Sequence, residues 1–111
     1  MSDILTHIRE SIPGIWDSGN FKLVLSLDNT FFLETKETED IIDGFYLILQ
    51  IPKNRYYTLR LTEINGTTHD YDIIDVIVFD TLIISRNGER LHFTNVPPDE
   101  YEGEIFNPAN N

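Results

Sequence analysis

The apolar positions of this chain follow two different periods. In DILTHIRES, residues 3 to 11, Ile4, Leu5 and Ile8 fall on one side of a 3.6-residue repeat, which predicts a short amphipathic helix. Pro13-Gly14 ends that pattern. From Gly14 onward the repeat drops to two, the period of a strand whose side chains point to alternate faces. Phe21, Leu23, Leu25 and Leu27 alternate with Lys22, Val24 and Ser26. Asp28-Asn29 then turns the chain into Thr30-Phe31-Phe32-Leu33-Glu34-Thr35, so the two runs predict a hairpin.

The acidic stretch Glu37-Thr38-Glu39-Asp40 reads as a loop or an exposed strand end. After Asp43-Gly44, FYLILQI alternates Phe45, Leu47, Leu49 and Ile51 with Tyr46, Ile48 and Gln50, until Pro52-Lys53-Asn54 breaks it. RYYTLRLTEI then places Tyr57, Leu59 and Leu61 on one face and Tyr56, Thr58 and Arg60 on the other, before a hairpin signal at Asn65-Gly66. Three further runs, HDYDIIDVIVF, TLIIS and RLHFTNV, close at Asp80, at Arg86-Asn87-Gly88 and at Pro97-Pro98. With a strand around Trp16, this makes about eight short strands in meander order. A flat sheet of that size would leave two unpaired edges open to other chains, and closure removes them. The expected fold is therefore all-β: a small antiparallel up-and-down β-barrel preceded by a short N-terminal helix. It occupies residues 1–98, and an acidic, polar tail follows over 99–111, where Tyr101, Ile105 and Phe106 are the groups able to fasten it.

The order of these elements resembles the small lipocalin-like domains of the calycin type. The likeness runs from the helix through Gly14-Ile15-Trp16, Phe21-Lys22-Leu23-Val24-Leu25, Thr30-Phe31-Phe32, Gly44-Phe45-Tyr46, Leu59-Arg60-Leu61, Tyr71-Asp72-Ile73, Asp80-Thr81-Leu82-Ile83-Ile84 and Leu91-His92-Phe93, roughly residues 3 to 96. In that superfamily a glycine-x-tryptophan element opens the first strand, and a late arginine packs over the indole. The resemblance thus gives Gly14 and Trp16 structural roles, with Trp16 as an end plug, and offers Arg86 or Arg90 as the arginine. It also implies a barrel able to hold a small apolar molecule. The chain departs from the pattern in its shorter length, its lack of cysteines and the absence of a convincing C-terminal helix pattern. The family's threonine-aspartate-tyrosine turn is only echoed, in Thr68-His69-Asp70-Tyr71.

Composition narrows the functional classes. The 111 residues suit one domain, and the absence of cysteine removes disulfides, thiolate nucleophiles and cysteine-based metal sites. Nineteen acids against eight bases give a formal charge of −11, a field that repels phosphate backbones, so direct nucleic-acid binding is not expected. No apolar run approaches the roughly 20 residues of a membrane-spanning helix. MSDILTHIRE lacks the basic start of a secretory leader, and the cytoplasm is the expected location.

Candidate chemistry is sparse. No glycine-rich phosphate loop and no glycine-flanked serine nucleophile occurs, and His7, His69 and His92 are scattered, so neither an enzyme nor a cofactor is expected. His69 beside Asp70 and Asp72 reads as a polar turn rather than a metal site or general base. Phe45, Tyr57 and Phe79, with Phe21, Phe31, Phe32 and Phe93, are candidates to line a ligand cavity, although a barrel of about eight strands is just wide enough to be filled by its own side chains. Arg60 would anchor an anionic ligand group if its face were interior, but the Tyr57, Leu59 and Leu61 face is the better core candidate. Arg90 and His92 share one face of the last strand and pose the same choice. The leading expectation is non-enzymatic binding of a small apolar or amphipathic molecule in the barrel. The second is an acidic interaction or inhibitor module that engages a basic protein partner.

Overall fold

The computed structural model describes residues 2–97, so the tail expected from residue 99 lies outside the described residues. The helix α1 (Ser2–Ser11) is followed by β1 (Gly14–Asp17), β2 (Phe21–Leu25), β3 (Thr30–Thr35), β4 (Asp40–Leu49), β5 (Thr58–Glu63), β6 (Thr68–Ile77), β7 (Thr81–Arg86) and β8 (Glu89–Asn95). Each strand pairs antiparallel with the next, and β8 returns to β1, so the eight strands close into an up-and-down barrel. No helix among the described residues is long and apolar enough to cross a membrane.

The turns follow from local chemistry. Asn87 and Gly88, at φ 55° and 82°, form the two-residue loop between β7 and β8, where left-handed backbone suits the twist of a hairpin. Gly14 has φ 152°, and a Cβ there would also come within 3.2 Å of the Asn95 side chain, so β1 begins on a residue that has none. At Gly44 a Cβ would collide with the Thr62 carbonyl oxygen, so the close approach of β4 to β5 requires glycine.

Register decides which face of each strand is inside. On β5 the apolar side chains, Leu59 and Leu61, share one face, and both are buried, at 0% and 1% exposure. Their partners on β4 are Ile48 and Tyr46, which are therefore interior. Phe45 and Leu47 stand opposite Thr62 and Arg60 and point outward. On β6 a bulge between Ile73 and Asp75 shifts the alternation, so that Ile73 and Val76 both reach the core.

The core runs the length of the barrel and ends against α1, whose Ile8 and Ile12 join it. Trp16 is fully buried where helix and barrel meet, and its indole Nε1–H donates to the Ile12 carbonyl at 2.8 Å. That bond satisfies one of the carbonyls left open at a helix C-terminus. Arg86, one of the two arginines offered for the indole, lies over the ring of Tyr71 instead, at 5.5 Å from its centroid. The other, Arg90, is exposed on β8.

Two substitutions test this architecture by urea unfolding. Trp16→Phe removes the indole donor and leaves a void under α1, at an expected cost of about 2–4 kcal/mol. Gly44→Ala forces β4 away from β5 and is expected to cost about 1–3 kcal/mol. A cost near zero for either would mean that the corresponding contact does not hold the fold.

Candidate functional site

The two ends of the barrel differ. The helix end is closed by α1, Ile12 and Trp16, both of which are fully buried. The opposite end carries the β1–β2, β3–β4, β5–β6 and β7–β8 turns, as the alternation of strand directions requires. Just inside that end, Phe21, Leu23, Leu33, Leu61, Tyr71, Ile84, Leu91 and Phe93 line a cavity of about 30 Å³. All eight side chains are apolar or aromatic, so the space is dry by preference even though a water or two would fit by size.

Phe21, Leu33, Tyr71 and Leu91 are only partly buried and form the lip of this cavity. Above it, Phe21, Tyr71, Arg86, Asn87, Glu89 and Leu91 border an open hollow of about 320 Å³. The Arg86 guanidinium over the Tyr71 ring is a cation–π contact at the rim, which places a positive group beside an apolar opening. Strand pattern alone does not mark Tyr71, Arg86 and Leu91 as the border of an opening. The signal that finds them is their inward parity at the open ends of β6, β7 and β8.

Of the residues singled out from sequence, Phe21 and Phe93 line this cavity, and the others lie elsewhere and do not form one site. Phe45 is 55% exposed on the outer face of β4, and Phe79 is 83% exposed in the β6–β7 turn. Tyr57 is half-buried just before β5 and packs against the core from the helix-end connection. Arg90 and His92 are exposed on the outside of β8. Arg60 is also on the outside, where its Nε and Nη2 donate to the two carboxylate oxygens of Asp70 at 2.8 and 2.9 Å. It is therefore occupied by a neighbouring strand and does not project into the barrel. The physical reason is the same throughout: the buried Leu59–Leu61 face fixes the inward side, and an interior of this width has no room for a second set of rings.

The polar cluster near His69 is likewise divided among separate partners. His69 Nε2 lies 2.7 Å from Glu63 Oε2, Asp70 accepts from Arg60, and Asp72 accepts from Asn54 at 3.0 Å. Among the described residues no group of three or more histidine and acidic side chains is arranged to hold a metal ion. On the tyrosine side, Tyr46 donates its hydroxyl to the Ser26 carbonyl at 2.9 Å, which ties the β2–β3 turn to β4. Burial and the nearby Asp28 charge raise its hydroxyl above the usual tyrosine value.

The carboxylates on the outer surface are tuned by specific partners. The hydrogen bond from Arg60, reinforced by its charge, holds Asp70 below the usual carboxylate range despite partial burial. For Asp17, burial by itself opposes ionisation. The Lys36 ammonium at 2.6 Å and the Gly19 N–H at 2.7 Å outweigh it, and the net shift is downward. Comparison with known protein families, with curated proteins and with solved structures returned no match.

A pH dependence follows from these shifts. The folded-state values of Asp17 and Asp70 lie below their unfolded values, near 3.9 for an aspartate. Their contribution is therefore present above that value and is lost as pH falls through the folded ones. The urea midpoint is expected to drop between about pH 5 and pH 3, less steeply in Asp70→Asn. An unchanged slope in Asp70→Asn would remove the Arg60 pair as a cause.

Proposed function

We propose that this chain is a non-enzymatic binding domain of lipocalin-like type, which takes up the apolar end of a small apolar or amphipathic molecule at the open end of its barrel. The observation that carries this reading is the contrast between the two ends. One is closed by the fully buried Ile12 and Trp16, and the other leads from an all-apolar lining into an open hollow of about 320 Å³. That volume is at the lower end of the range in which small-molecule sites occur.

The enclosed cavity of about 30 Å³ accepts only the tip of such a ligand. Deeper entry requires the Phe21 or Tyr71 ring to turn aside. A polar head then rests in the hollow, beside Arg86 and Glu89.

The small enclosed volume also favours a second reading, in which the acidic surface engages a basic protein with no small molecule involved. Calorimetry with octanol and octanoate separates the two. Both probes are expected to bind the native protein. Arg86→Gln should weaken octanoate by about tenfold, the equivalent of about 1.4 kcal/mol, and leave octanol unchanged. Arg60→Gln and Arg90→Gln should change neither. Failure of both probes to bind, together with salt-sensitive capture of a basic protein, would favour the second reading.

A further inference from the structure

Where one face of an antiparallel sheet meets water, its outward positions are polar. On β5 they are Thr58, Arg60 and Thr62, and on β8 they are Arg90, His92 and Thr94. Strand β4 departs from this. Its outward row runs Ile41, Asp43, Phe45 and Leu47, and the three apolar members are 53%, 55% and 52% exposed. From Phe45 to Leu49 the strand is apolar on both faces, the pattern of a strand covered on both sides. The core covers Tyr46 and Ile48, whereas Phe45 and Leu47 stand in solvent.

The charges around this row define what complements it. Asp43 lies between Ile41 and Phe45, is exposed, and belongs to none of the ion pairs among the described residues. Its neighbours are already engaged: Arg60, opposite Leu47, is held by Asp70, and Glu34, opposite Ile41, lies against Lys22. A purely apolar surface pressed onto the row would bury the Asp43 carboxylate without a counter-charge, which is costly. A cation placed opposite removes that cost, and the formal charge of −11 draws such a group in. A second copy of the chain brings the same acid and the same net charge, so it is not the complement.

The form of the partner follows from the backbone. Strand β4 is already paired with β3 on one side and β5 on the other, so a partner lies across its face rather than extending the sheet. An extended peptide laid on that face would have its own N–H and C=O groups covered and unpaired, whereas a helix satisfies them internally.

We propose that the outer face of β4 docks a basic amphipathic helix, with Ile41, Phe45 and Leu47 against its apolar stripe and Asp43 against a lysine or arginine within that stripe. Outward neighbours on a strand are about 7 Å apart, so the row from Ile41 to Leu47 is about 20 Å long. Helical side chains four apart are spaced by about 6 Å, so about 13 residues of helix match it. The surface is outside the barrel, and the inference is independent of ligand uptake at the open end. It shares the basic partner with the second reading of function and rests on that reading to that extent.

Fluorescence anisotropy tests this with a labelled peptide of about 18 residues, carrying leucine on one helical face, a single lysine within that stripe and lysine elsewhere. The native protein is expected to bind it at least about tenfold more tightly than a peptide with glutamate in place of every lysine. Phe45→Thr combined with Leu47→Thr, both exposed and suited to a strand, should weaken binding at least about tenfold, and Asp43→Asn about threefold to fivefold. Phe79→Asn removes a more exposed apolar ring elsewhere and should change nothing. Asp43→Lys should come to prefer the peptide whose stripe lysine alone is replaced by glutamate. The proposal is overturned if the all-glutamate peptide binds the native protein as well as the lysine one, or if Asp43→Lys shows no exchange of preference. Salt-sensitive binding that survives the paired threonine changes keeps a basic partner but overturns this surface, and absence of binding counts against both. A dimer in sedimentation that the same pair dissolves makes a second copy the occupant and also overturns it.

Discussion

Closure of the sheet between β1 and β8 is the contact on which the rest of the structure depends. That ladder is short: Trp16 faces Asn95, Asp17 faces Thr94, and the Val96 N–H adds a bond to Ile15. Without it β1 and β8 become free edges, and an eight-stranded meander with free edges is prone to pair with other chains. Trp16 is what makes so short a ladder sufficient. It faces Leu23 on one side and Asn95 on the other, and its indole holds the end of α1. One side chain thereby couples helix, first strand and last strand, with its whole surface in the core.

The difference between the two ends follows from that arrangement. Because α1 and Trp16 cover one end, the partly buried lip is at the other, where no helix among the described residues lies across the strands. The lip there is built from two partly buried rings, Phe21 and Tyr71, and two leucines, Leu33 and Leu91. Three ion pairs lie on the outside, Arg60 with Asp70, Lys36 with Asp17 and Lys22 with Glu34, and the His69–Glu63 contact falls on the inward parity of Leu61 at the open end.

The fold was legible because period-two alternation and turn residues mark strands independently of their partners. The about-eight-strand meander, the preceding helix and the buried Trp16 all follow from such local signals. The residues that line the open end were not legible in the same way. On β4 both faces are apolar, Phe45 and Leu47 against Tyr46 and Ile48, so alternation alone cannot say which set is inside. The answer comes from β5, where Arg60 breaks one face and its partner strand inherits the orientation. On β6 consecutive Ile73 and Ile74 hide a bulge that reverses the alternation. Phe79 looked like a cavity residue by type, yet it occupies a turn that usually excludes bulky side chains. Arg86 was expected over an indole and lies over Tyr71, a pairing across neighbouring strands that strand order alone does not reveal.

The covered helix end and the open opposite end predict that a small apolar probe enters the interior from one end only. Methyl NMR during titration with octanol tests it directly, since leucine and isoleucine methyls line both halves of the core. The expected result is movement of the Leu33, Leu61, Ile84 and Leu91 methyl signals, with those of Ile8 and Ile12 unmoved. Shifts centred on Ile8 and Ile12, or confined to the exposed Leu27, would contradict it.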